Sequence, residues 1–311
     1  MKLNNSIKLA IANFSLFWKI LLYKFIAIVI GILFVLPVFG VLKECVMASG
    51  LDTVVNNLFS SAAFQSMPSF MAQLLGLVNS IFSAINIMAS QNLFSLIYLA
   101  IILFIVLPFL LKLSDVPASE SSYSYMSSLN KNSFTVNFIS MLDKSMGYSI
   151  LRTLLEIPFW FALMGGIYGI LTLSLQGELW LIFSPFLLFV FLIIMLDLNI
   201  TIFNGWAPSV VVFNCCASKA LKKGIKAVSR NFLSVLSSFA VVVTIVISLV
   251  YLFGIYALIF ALPFMALIVA VFGQVLFFES QGMDYYLSPD KIITPRKLEN
   301  ADSIKKVKMI I

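Results

Sequence analysis

Six runs of about 20 apolar residues constrain this chain more than any other feature, because that length is what an α-helix needs to cross the hydrocarbon core of a bilayer. They fall at 25–42, 93–111, 154–175, 179–203, 232–253 and 255–278. Hydrocarbon offers a peptide group no water, so each run must close its own backbone hydrogen bonds as a helix. Composition agrees: 61% of the residues are hydrophobic and 11% charged, with a mean hydropathy of +1.07. A soluble domain carries about 25% charged residues, and the polar groups here are too few to cover a water-facing surface. The expected fold is all-α, a polytopic transmembrane bundle of about six spans with interfacial amphipathic helices. It forms a single integral membrane domain, 1–278, followed by a tail, 279–311. Joints at Gln176–Glu178 and Gly254 make the third and fourth spans, and the fifth and sixth, into tight hairpins. The first run lies beyond Lys19 and Lys24 and continues to Leu42. That is longer than the apolar core of a signal peptide, so an uncleaved first span is expected.

Orientation follows from Lys and Arg, which are retained on the cytoplasmic side. The N-terminal stretch holds Lys2, Lys8, Lys19 and Lys24, and the segment between the second and third spans holds Lys112, Lys131, Lys144 and Arg152. Lys219, Lys222, Lys223, Lys226 and Arg230 follow the fourth span, and Lys291, Arg296, Lys297, Lys305, Lys306 and Lys308 occupy the tail. Of the 20 basic residues only Lys43 falls on the other side. Both termini are therefore expected in the cytoplasm, with an outer loop at 43–92. Within that loop Phe70–Met88 is uncharged and nearly long enough to span. Its apolar residues Phe70, Leu74, Leu77, Ile81, Ile85 and Met88 follow one helical stripe, however, and Gln73, Asn79, Ser80, Ser83 and Asn86 lie elsewhere. That amphipathic pattern predicts an interfacial or re-entrant helix. Insertion as a seventh span would also reverse the topology.

An internal repeat is visible at the entries to the spans. Residues 7–14 (IKLAIANF) match residues 225–232 (IKAVSRNF) at four of eight positions, and Phe134–Arg152 alternates apolar and polar faces before the third span. The chain then reads as three parallel units, each an amphipathic cytoplasmic helix leading into a hairpin.

Chemistry is sparse. The chain has no histidine, the commonest general base and metal ligand. Cys45, Cys215 and Cys216 have neither disulfide-framework nor zinc spacing. No phosphate-binding loop, nucleophile elbow, metalloprotease motif or dinucleotide glycine pattern is present. No catalytic residue, metal or cofactor is expected, and enzyme is the less favoured class. The net charge of +7 sits beside apolar runs, which points to membrane topology and not to nucleic acid.

The ionisable residues in the spans are Glu156, entering the third, and Asp197, late in the fourth. Leu179 to Asp197 rises about 27 Å at 1.5 Å per residue, which sets Asp197 near the cytoplasmic boundary. Glu156 lies near the same boundary, where Arg152 can pair with it across one turn. Asn199, Asn204 and Gln274 fall at similar depth, so Glu156, Asp197, Asn199 and Gln274 form the candidate polar site. A carboxylate inside a membrane is a functional hypothesis; one at the boundary escapes much of the desolvation cost and reads as structural. Prolines interrupt five spans, at 37, 108, 158, 185 and 263. Gly165 with Gly169, and Ser234 with Ser238, offer small faces for helix packing.

The sharpest pattern runs from Ser218 to Phe232. Leu221, Ile225, Val228 and Phe232 form an apolar stripe, and Lys219, Lys223, Lys226 and Arg230 repeat its spacing on the opposite face. This is a basic amphipathic helix suited to a membrane surface, with anionic lipid headgroups as the expected partner of those four residues. The run 206–214 (WAPSVVVFN), then 220–224 (ALKKG) and 231–232 (NF), resembles an uncharacterised bacterial multi-pass membrane protein family. That family is similar to the membrane domain attached to some glycerophosphodiester phosphodiesterases. The match covers roughly 30 residues. No soluble phosphodiesterase domain is present, so the resemblance implies a bacterial cytoplasmic-membrane protein and does not imply that activity.

Three functions compete. The first is a non-enzymatic envelope or transport-associated component working through packing, lipid contacts and membrane-protein partners. The second is a small-solute or lipid permease with an inward-facing polar site, and the third a membrane-embedded lipid enzyme. The topology is directly testable. An impermeant thiol reagent on intact cells should reach Cys45 or Ser66→Cys but not Cys215 or Ser303→Cys. Labelling of the tail from outside would overturn the orientation.

Overall fold

The structure, a computed structural model, describes residues 2–59, 67–173, 177–253 and 256–293. It is helical almost throughout. The first helices are α1 (Lys2–Ala12), α2 (Ser15–Val35), α3 (Phe39–Ala48), α4 (Leu51–Phe59) and α5 (Met67–Gln91). Next come α6 (Leu93–Ile101), α7 (Leu107–Lys112), α8 (Asp115–Ser128), α9 (Phe134–Ser140) and α10 (Leu142–Leu173). The last are α11 (Glu178–Phe203), α12 (Trp206–Val212), α13 (Ala217–Ser229), α14 (Phe232–Phe253) and α15 (Tyr256–Gln281). Two short strands, β1 (Tyr285–Ser288) and β2 (Lys291–Ile293), pair antiparallel after them. The expected joint at Gly254, part of the joint at Gln176–Glu178, Ser66 and the tail beyond 293 lie outside the described residues.

Seven helical stretches among the described residues are long and apolar enough to cross a membrane. Six overlap the expected spans: Ser15–Ala48, Leu93–Ser128, Leu142–Leu173, Ile182–Val212, Phe232–Leu249 and Ile259–Gln281. The seventh, Ala72–Gln91, belongs to α5. It qualifies because its polar residues are all uncharged Asn, Gln and Ser, which shorten an apolar stripe without excluding it from lipid. Contacts of α5 include Cys45 Sγ on Gln91 (3.7 Å), Val54 beside Gly76, Leu171 beside Leu75 and Tyr168 against Phe82. Cys45 is itself buried, so Glu44, exposed beside it, is the better labelling position on this loop.

Two of the prolines change the helix type around them. Pro37 sits in a 3-10 turn, Leu36–Val38, between α2 and α3, and Pro108 follows a π-helical turn, Ile102–Val106, between α6 and α7. Proline lacks an N–H and crowds the carbonyl four residues earlier, so the winding near it tightens or widens. Pro158, Pro185 and Pro263 lie within continuous helices.

The chain divides into two compact units assembled from segments distant in sequence. One comprises Lys24–Lys112 and Ser149–Asn199. Its apolar core is small, built on Leu75, Leu171 and Leu188, and its outer faces display Phe94, Phe161 and Ile182 at 76%, 67% and 70% exposure. Surfaces of that kind belong against hydrocarbon. Within the unit α10 and α11 approach closely at Gly166, where an added Cβ would lie 2.1 Å from the Phe191 ring. Gly165 and Gly169, the expected packing pair, face open space instead. The close approach is at a single glycine one residue along, about 100° of rotation away.

The other unit comprises Met1–Tyr23, Leu113–Tyr148 and Ile200–Ile311. Its axis is α15, buried almost continuously from Leu267 to Phe278. The helix α1 and β1 pack on it along with α8, α12, α13 and α14. The packing face of α14 carries Val235, Phe239 and Val242, with the Phe239 and Phe272 rings 4.7 Å apart, and Ser234 is exposed. The start of the expected tail is part of this core, since Tyr285 and Leu287 are buried in it. The aligned asparagines of the repeat, Asn13 and Asn231, both stand at the break between a lead-in helix and its span. There the N–H of Leu16 reaches the Asn13 carbonyl and that of Val235 the Asn231 carbonyl.

Where α12 crosses α13, backbone meets backbone. A Cβ on Gly224 would lie 2.7 Å from the carbonyl carbon of Gly205 and 2.8 Å from the Trp206 Cα. Both are backbone and cannot swing aside. The Trp206 indole N–H donates to the Ala217 carbonyl at 2.7 Å, and the Ser209 hydroxyl reaches the Ala220 carbonyl at 2.6 Å. On the other side Asn204 and Pro208 crowd Gly273 of α15. Overpacking of this kind costs about 1–3 kcal/mol. Gly224→Ala is expected to lower the melting temperature of the detergent-purified protein, whereas Gly165→Ala, in open space and a better helix former, leaves it unchanged or raises it. Equal melting temperatures for Gly224→Ala and the parent would disprove the close crossing.

Candidate functional site

Glu156 is a buried carboxylate of the first unit with two cations around it. It lies on α10, with Arg152 one turn earlier on the same face, and Lys112 approaches from the end of α7. The residue is 4% exposed. Arg152 also donates from Nη2 to the Asn199 side-chain amide oxygen Oδ1 on α11 at 2.9 Å. Lys24 donates to the Leu111 carbonyl at 3.0 Å at the same end of the unit, where a cation suits the unpaired carbonyls of a helix C-terminus. Two cations thus flank one carboxylate. In a low-dielectric setting such a cluster holds together by mutual pairing, and loss of one member leaves uncompensated charge.

Of the expected site residues, the structure brings Glu156 and Asn199 together through Arg152. Asp197 is buried on α11, two residues before Asn199. Gln274 belongs to the other unit, on α15. Its amide nitrogen donates to the Ser119 carbonyl and lies 3.0 Å from the Ser119 hydroxyl. Lys112 was legible only as a topology signal, because its pairing with Glu156 depends on how α7 meets α10. Nothing in the local pattern of α7 announces it.

The second unit carries its own polar interior. The hydroxyl of Tyr285 donates to Glu279 at 3.2 Å and accepts from the Asn5 amide at 3.1 Å. Burial pushes its phenol well above the ordinary value, assisted by the Glu279 charge and opposed by Asn5, so it stays a neutral donor. The serine-rich α8 is buried at nine positions, and Asn137 donates to its Ser121 at 2.9 Å. These bonds tie β1, α9 and the chain's first helix to one core.

On α13 the buried face is Ala217, Ala220, Gly224, Ala227 and Val228. Lys219, Lys222 and Lys226 are exposed. Two of the four expected headgroup residues, also exposed, have protein partners. Lys223 Nζ sits 3.6 Å over the Phe213 ring, a cation–π contact, and Arg230 donates to the Ser280 carbonyl at the end of α15 at 3.0 Å. Ile225 is exposed and Leu221 half-buried, leaving an apolar shoulder between the buried face and the lysines.

No family model, curated protein or solved structure matches this chain. Among the described residues no group of His, Cys, Asp or Glu is placed to hold a metal ion.

Breaking a buried pair by removing one partner costs about 3–5 kcal/mol. Glu156→Gln is therefore expected to destabilise the protein strongly, and adding Lys112→Met to it should recover part of the loss by removing one stranded cation. Thermal unfolding in detergent reads both, and an unchanged melting temperature for Glu156→Gln would show that the cluster does not hold the helices together.

Proposed function

We propose that this multi-pass membrane protein is a non-enzymatic component of the bacterial cytoplasmic membrane, with both termini in the cytoplasm. It works through lipid and protein contacts, as a structural or transport-associated part of the envelope. The observation that carries this reading is the division of α13 into three sectors: small residues buried on the protein, an apolar shoulder at Leu221 and Ile225, and exposed Lys219, Lys222 and Lys226. Anionic phospholipid fits that arrangement. Each cation near an anionic surface contributes about 1 kcal/mol, so three supply roughly 3 kcal/mol before screening. The resemblance of 206–232 to bacterial membrane proteins supports the same reading, because α12 and α13 are the helices that build this face. Lys223 and Arg230 support it indirectly: by binding Phe213 and Ser280 they hold the helix in place.

A second reading, a permease, is favoured by Glu156 alone. A carboxylate held between Lys112 and Arg152 could exchange partners with a charged solute. Proteoliposome flux that disappears in Glu156→Gln at a temperature where the variant is still folded would establish transport over a structural role.

Retained phosphatidylglycerol, measured by native mass spectrometry of the purified protein, tests the leading reading. Changing Lys219, Lys222 and Lys226 together to Gln should remove most of it without altering the melting temperature. Lys223→Gln and Arg230→Gln should instead lower stability. Unchanged lipid retention in the triple variant would reject α13 as the contact. Cys216, exposed at the start of α13, offers a native label for orientation, because the Lys219 N–H and then the Ser218 hydroxyl hold its thiol below the ordinary value.

A further inference from the structure

The helices that precede three of the spans share a feature beyond α13. On α1 the residues buried toward the protein are Asn5, Ser6, Leu9 and Ala10, while Ile7 and Ile11 face outward at 43% and 68% exposure. That outward stripe continues past the break at Asn13 into the first turns of α2 as Phe14, Trp18 and Leu22. On α9, Phe134 and Asn137 are buried, and Val136 and Ile139 are 62% and 70% exposed. Their stripe continues into α10 as Leu142 and Met146. On α13 the stripe is Ile225, carried on by Leu233, 78% exposed, in the first turn of α14. All of these residues belong to the second unit.

We infer that α1, α9 and α13 are three in-plane anchors sunk in the same leaflet, so that the protein holds the headgroup layer by apolar insertion at three places and not only by charge at one. This rests on the membrane reading above and extends it. The occupant is phospholipid because each stripe runs on into exposed apolar residues in the first turns of the long apolar helix that follows, a surface suited to acyl chains. An amphipathic helix lying in the interface buries its apolar face about 5–10 Å into the headgroup boundary. The flanking chemistry agrees at two of the three. Lys8 and Lys19 are exposed beside Ile7, Ile11 and Trp18, and Lys222 and Lys226 beside Ile225. Trp18 itself is an amphipathic ring of the type that collects at membrane interfaces. The third anchor works differently: Lys131 donates to the Ala12 carbonyl and Lys144 to Asn214, so the cations near α9 are occupied within the protein. Its hold is apolar alone. Contact at α1 and α13 should therefore weaken with salt and with loss of anionic lipid, while contact at α9 is indifferent to both.

Spin labels test this in the full chain with its three cysteines changed to Ser. Single labels at Ile11, Ile139 and Ile225, with Phe161 as the span reference, are read in vesicles of phosphatidylcholine and phosphatidylglycerol. Collision with oxygen and with a water-soluble nickel chelate is compared at each. Expected at all three anchors is a severalfold excess of oxygen over nickel collision. In pure phosphatidylcholine that excess should fall at Ile11 and Ile225 and stay constant at Ile139. Nickel-accessible labels at the three, with Phe161 still oxygen-accessible, would overturn the anchors while leaving the membrane reading intact. Labels shielded from both reagents would overturn them too, by showing a second protein surface in place of lipid. Nickel access at Phe161 would bring down the membrane reading itself.

Discussion

A peptide group in hydrocarbon has no water to bond, and the rest of this structure follows from that single shortage. Across the apolar runs the backbone stays helical, even through Pro158, Pro185 and Pro263. Where regular α-winding gives way, it does so into a 3-10 turn at Pro37 or a π turn before Pro108, which keep the chain bonded to itself. Full breaks at residues 13–14, 113–114, 204–205 and 230–231 fall where the runs end. At two of them an asparagine occupies the break, Asn13 and Asn231, its backbone carbonyl receiving an N–H from the first turn of the following helix.

Helices that share a lipid solvent gain little from hiding apolar side chains against one another, so association depends on close approach and on polar contacts. Both devices are present. Gly224 against Gly205, and Gly273 against Asn204, let α12 lie between α13 and α15 with backbone touching backbone. Such approach multiplies dispersion contacts, each small and collectively large. Indole and hydroxyl donors then fasten the same crossing. In the first unit, with its small apolar core, the ion cluster of Lys112, Arg152 and Glu156 performs that task for α7, α10 and α11.

The second unit reverses the usual proportions of a membrane protein, with a buried serine-rich helix, a strand pair and a tyrosine–glutamate bond around α15. Short helices line its outside and carry apolar stripes that neighbouring protein does not cover. Their polar and small faces look inward, the opposite of a water-soluble helix. This inversion makes a leaflet the natural environment of the unit's outer surface, and it is why the lysines of α13 fall into two classes. Lys223 over Phe213 holds the helix, helped by Arg230 just beyond its end at Ser280, and Lys222 and Lys226 beside Ile225 face outward.

The helical class, the location of the six expected spans and the amphipathic character of the helix at 219–230 were legible in the sequence. Each depends on local period and apolar length, which the chain carries in any context. The choice between Gly165 and Gly166 as the packing position was not legible, since both lie on one apolar helix and only the arrival of Phe191 distinguishes them. The same holds for the candidate site. Glu156 and Arg152 are neighbours by helical spacing, whereas Lys112 joins them only because α7 ends beside α10. Depth alone grouped Gln274 with Glu156, but depth does not specify membership of a unit. The sequence by itself determined which segments leave water. Tertiary structure decided which side of each helix meets protein, because that depends on partners hundreds of residues away, as Asn5 and Tyr285 show.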